Sequence, residues 1–154
     1  VPGVSLDGHT FLVQEPPMFF GYGDSFIVTL PNSWNNLGGN SPTGVNGIPQ
    51  LEGFGFLTDD APARLRLSQG AAGAAAFLAL SATDNPTPLW GGVLHTTNYF
   101  KLVSFNTNAA GGANIDFKWP SGLAGVTLYS QMAMLDFSVP ANITLTNALS
   151  STGY

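Results

Sequence analysis

Apolar and polar side chains alternate over short runs of this chain, and a period of two is the mark of a half-buried β-strand. In Ala63-Arg-Leu-Arg-Leu-Ser68, the residues Ala63, Leu65 and Leu67 share one face while Arg64, Arg66 and Ser68 share the other. Asn114-Ile-Asp-Phe-Lys-Trp119 repeats the arrangement, with Ile115, Phe117 and Trp119 on the apolar face, and it stops at Pro120, which has no N–H to give to a ladder. Similar patterning predicts strands over Thr10 to Gln14, Ser25 to Leu30, Phe54 to Leu57, Ala75 to Ser81, Phe100 to Phe105, Val126 to Asp136 and Asn142 to Leu149. Helix competes only over Ala71 to Leu80, because Ala is the best helix former. Gly70, Gly73 and the breaker Asp84-Asn-Pro86 tip that segment towards strand.

Several short strands divided by Gly, Pro and Asn clusters predict an all-β fold, an immunoglobulin-like or jelly-roll-like β-sandwich forming a single domain over residues 1–154. The candidate core is Ala63, Leu65, Leu67, Phe77, Leu78, Ile115, Phe117, Leu128, Met132, Met134, Ile143 and Leu145. Two stretches read as long loops: the Gly/Asn/Pro-rich segment 31–53, and Asp84 to Asn98 around Trp90-Gly-Gly92.

Composition narrows the function classes. With 154 residues, one hydrophobic core is affordable. Only 4 basic residues stand against 9 acidic ones, for a net charge of −5, so the clustered Lys and Arg that nucleic acid demands are missing. The absence of cysteine removes disulfides, thiolate metal sites and cysteine nucleophiles together. No run approaches 18 apolar residues, so no membrane span is expected. The chain starts at Val1 with no apolar leader before it, and the expectation is an extracellular or cell-surface protein after signal-peptide removal.

Candidate chemistry is sparse. The histidines, His9 and His95, stand apart in polar stretches and are expected to be solvated; no Gly-x-Ser-x-Gly is present. Gly21-Tyr-Gly23 and Gly53-Phe-Gly55 lack the remainder of a phosphate-binding loop. No enzyme and no cofactor are therefore expected. Asp59, Asp60 and Asp84 offer the hard oxygens that calcium prefers, but their spacing fits no calcium loop, and no metal site is assigned. Trp34, Trp90 and Tyr99 lie in or near loops, where flat rings could stack on sugars. Asn142-Ile-Thr144 is a formal glycosylation acceptor.

From about Pro62 onwards a resemblance joins these observations. Ala76-Phe-Leu-Ala-Leu-Ser81, Leu123-Ala-Gly-Val-Thr-Leu-Tyr-Ser-Gln131, Asp136 and Leu145-Thr-Asn-Ala-Leu149 follow one another, with Gly91-Gly92 and Gly111-Gly112 at intervening turns. In that order they resemble an immunoglobulin-like C-terminal β-domain of secreted planctomycete and myxobacterial proteins. The chain departs from the pattern in having Ala72 to Ala76 where proline is frequent, and in lacking cysteine. The resemblance implies a sandwich fold, export and an extracellular setting, and no catalytic residue.

The expected function is that of a secreted structural protein of the bacterial surface, a filament or surface-layer subunit whose partner is a copy of itself. Phe11, Leu12, Val13, Phe19 and Phe20 form a candidate assembly arm, docking on the edge of their own sheet or on that of a neighbour. Alternatives are a carbohydrate-binding or adhesion module that takes polysaccharide, and a viral jelly-roll capsid protein.

Overall fold

The computed structural model describes residues 10–14, 25–29 and 34–154, in a chain that divides into two units, Val1–Asn32 and Ser33–Tyr154. The described residues contain strands, turns and bends and no helix. The fold is all-β, built from antiparallel sheets.

In the first unit, β1 (Thr10–Gln14) pairs antiparallel with β2 (Ser25–Thr29), with Phe11 opposite Val28, Leu12 opposite Ile27 and Val13 opposite Phe26. The candidate assembly arm thus contains a strand paired with one nearby in sequence, where closing the connection costs little entropy. Phe19 and Phe20 lie outside the described residues, as does His9.

The second unit is a sandwich of two sheets. The smaller has the order β10 (Ala113–Lys118), β5 (Pro62–Ser68), β4 (Gln50–Gly55). The larger has the order β3 (Trp34–Gly38), β13 (Ala148–Thr152), β11 (Thr127–Leu135), β6 (Ala75–Ser81), β9 (Tyr99–Asn106), and β12 (Ile143–Leu145) also pairs with β11. A separate hairpin joins β7 (Thr87–Leu89) to β8 (Gly92–Leu94).

The alternating pattern places the faces as expected on β5: Ala63, Leu65 and Leu67 are buried, and Arg64 and Arg66 are exposed. On the outer face, Arg64 stands opposite Asp116 and Arg66 opposite Glu52, each joined by an exposed ion pair. Leu65, Leu67 and Leu51 of the smaller sheet meet Leu78, Met132, Met134 and Leu149 of the larger in one core. Burying these side chains contributes about 1.5 to 3 kcal/mol each.

Five expectations change. Phe77 is 42% exposed rather than in the core, because Leu78 faces inward and neighbours along a strand face opposite ways. Ile143 is half-buried and outside the core cluster. The segment 31–53 is not one loop: it contains β3 and the start of β4, and its Asn-rich sequence hides a strand because β13 supplies the ladder. Likewise the loop from Asp84 to Asn98 holds the β7–β8 hairpin, turning at Trp90-Gly91, both at positive φ. The last predicted strand divides into β12 and β13 around Thr146 and Asn147, two fully buried polar residues.

Candidate functional site

The larger sheet has one face in the core and an outer face that is unusually apolar where β6 and β9 run side by side. Phe77 on β6, with Tyr99 and Leu102 on β9, is exposed there, and a groove of about 220 Å³ lined by these residues also takes in Trp90 and Leu94 of the hairpin. Phe100, 62% exposed, falls at a bulge where the register between β6 and β9 shifts. The strand β9 is the last of its sheet, so one row of its backbone groups has no neighbouring strand among the described residues. A long apolar edge of this kind is a template for pairing with another chain.

Buried polar side chains hold the hairpin against this face. Gln131, on the outward side of β11, gives Nε2 to the carbonyls of Val93 and Thr146, both at 2.9 Å, and accepts the His95 N–H on Oε1 at 2.8 Å. His95 is not solvated as its polar neighbours suggested. It is 9% exposed, and its Nδ1 lies 2.8 Å from Asp84 Oδ1. One residue on, Asn85 Nδ2 donates to Thr97 Oγ1 at 2.7 Å. These contacts zip the base of the hairpin.

Asp136 makes a comparable anchor at another turn. Its carboxylate accepts the backbone N–H groups of Val45 and Ser138 and the Ser138 hydroxyl. Burial pushes this carboxyl up, but the hydrogen bonds from the Ser138 hydroxyl and the two N–H groups outweigh it and hold Asp136 below its ordinary value.

The three rings singled out for sugar stacking part company. Trp90 and Tyr99 line the same groove. Trp34 is 9% exposed, belongs to the core, and donates Nε1 to the Gly55 carbonyl at 3.1 Å, so it offers no face to a sugar. Its ring takes the space where a side chain on Gly53 would be, which is why a glycine stands in that strand. The groove itself is nearly all apolar: Thr96 is fully buried, and the carboxamide of Gln131 is spent on the hairpin. A sugar site needs polar groups beside its platform.

The carboxylates proposed for calcium do not assemble. Asp59 accepts the Gly122 N–H and Asp60 the Ser121 hydroxyl, while Asp84 pairs with His95. Among the described residues no three His, Asp or Glu side chains group to hold a metal. None of the helices that could cross a membrane occurs among them either. Asn142 is exposed on the turn before β12 rather than inside a strand.

Sequence reasoning missed Gln131 and Asn147 as fold anchors. Both, like Asp136, stand in the segments that carry the resemblance noted above, and their only signal was a polar residue inside an apolar run. The chain matches no protein-family model, no curated protein and no solved structure.

Proposed function

We propose that this chain is a structural β-sandwich subunit that works by associating with copies of itself in an extracellular setting. The observation that carries this reading is the apolar outer surface of β6 and β9, with Phe77, Tyr99, Phe100 and Leu102 exposed beside a strand edge that has no neighbour among the described residues. Antiparallel pairing of β9 with β9 of a second copy would extend the sheet and bury those rings on both copies. Lys101 is the only charged residue on that strand, so little desolvation of charge opposes the contact. A second apolar surface, Phe137 at 80% exposure with Leu135 and Val45, supplies the further contact that growth beyond a dimer needs. The extracellular setting rests on the resemblance of residues 62–154.

Sedimentation and negative-stain imaging of the full chain test the proposal. Association should be visible at micromolar concentration, and L102K, which places a charge on the edge, should shift the chain to monomers that keep the wild-type melting temperature. A wild-type chain that stays monomeric at hundreds of micromolar overturns the reading. Trp90 and Tyr99 in one groove favour polysaccharide as the second reading; a monomer retained on insoluble glycan, and released by W90A, would establish it.

A further inference from the structure

Between the two sheets lies a cavity of about 280 Å³ that the core does not fill. Its walls are Leu80, Val103 and Leu128 from the larger sheet and Ile115 and Phe117 from the smaller. Exposed lining residues mark its mouth, and these are Lys101, Lys118 and Pro120. The chain has 4 basic residues; Arg64 and Arg66 are ion-paired, whereas Lys101 and Lys118 have no acidic partner among the described residues. Both lysines of a protein with net charge −5 therefore border the opening of its apolar cavity, Lys101 from the inner face of β9 and Lys118 from the outward row of the edge strand β10.

Lys101 faces this space by register. It stands opposite Leu80 on the inner face of the sheet, and Leu80 stands opposite Ser130. The row Lys101, Leu80, Ser130 crosses two strand spacings, so Ser130 lies about 10 Å deeper than the backbone of Lys101. Ser130 is 3% exposed, lines the cavity, and its hydroxyl has no hydrogen-bond partner among the described residues. The indole Nε1 of Trp119, another lining residue, is also without one. Buried polar groups are ordinarily satisfied, and leaving one bare is costly. An apolar cavity with lysines at its mouth and a hydroxyl within, none of them partnered among the described residues, has the polarity of a site for an amphiphile.

We propose that the cavity binds a medium-chain carboxylate carrying a second oxygen towards its far end, such as a hydroxylated fatty acid. The carboxylate sits at the mouth against the Lys101 ammonium group, with Lys118 at the rim, the chain lies between the sheets, and the distal oxygen bonds the Ser130 hydroxyl. The size agrees: an apolar cavity of about 150 Å³ takes benzene, and this one is nearly twice as large. This site rests on none of the observations behind self-association, although Lys101 lies on β9, the strand of the proposed contact.

Calorimetric titration of the full chain with octanoate and with 8-hydroxyoctanoate tests each part. Both should bind, the hydroxylated acid at least about fivefold more tightly. The exposed pair K101Q/K118Q should lower both affinities about tenfold or more with an unchanged melting temperature, and S130A should erase the preference for the hydroxyl. No heat of binding at millimolar ligand overturns the site. Undiminished binding by K101Q/K118Q overturns the role of the lysines, and a preference that survives S130A overturns that of Ser130.

Discussion

Asn147 joins the two sheets through Leu51. Its Oδ1 accepts the Leu51 N–H at 2.7 Å and its Nδ2 donates to the Leu51 carbonyl at 2.9 Å. A side-chain carboxamide here does what a neighbouring strand does elsewhere: it satisfies both backbone groups of a residue on β4 from the link between β12 and β13. Both residues are almost wholly buried, so neither group of Leu51 has water as a substitute.

N147A should accordingly destabilise the protein by about 2 to 4 kcal/mol, since two buried backbone groups lose their partners together. Urea denaturation at neutral pH measures it. A loss under about 0.5 kcal/mol would mean that the carboxamide is dispensable.

Residues on β5 and β6 should respond according to face. L65A removes a side chain that is 2% exposed and should cost about 2 to 5 kcal/mol. F77A truncates an outward ring and should cost no more than about 1 kcal/mol, while weakening self-association in sedimentation. If F77A proved the more destabilising, the face assignment of β6 would be reversed.

Asp136 makes stability depend on pH. Because its folded pKa is depressed, it contributes stability that is complete above the unfolded carboxyl value near ~3.9 and is lost as pH falls through the lower folded value. D136N should be less stable than wild type at neutral pH by about 1 to 3 kcal/mol, and should show a flatter loss of stability below about pH 4. Asp116 is held low as well, by the hydrogen bond from Arg64, but that pair is exposed and salt screens it. Chemical denaturation with urea at high salt across the acid range isolates the Asp136 contribution; identical slopes for wild type and D136N would contradict it.

The alternating pattern alone settled the strand class, the inward faces of β5 and β10, and the outward direction of their charged residues, because a period of two is written residue by residue and needs no distant partner. It failed where a strand's identity depends on what lies beside it. Trp34-Asn-Asn-Leu-Gly38 reads as loop until β13 pairs with it, and Phe77 reads as core until Leu78 claims the inward direction. The apolar groove of Phe77, Tyr99 and Leu102, the clamp of Gln131 and Asn147, and the cavity between Lys101 and Ser130 join residues from separate strands. Sheet order and register bring those residues together, and both are properties of the packed chain, decided by which pairings bury the most apolar surface while leaving the fewest backbone groups unmet.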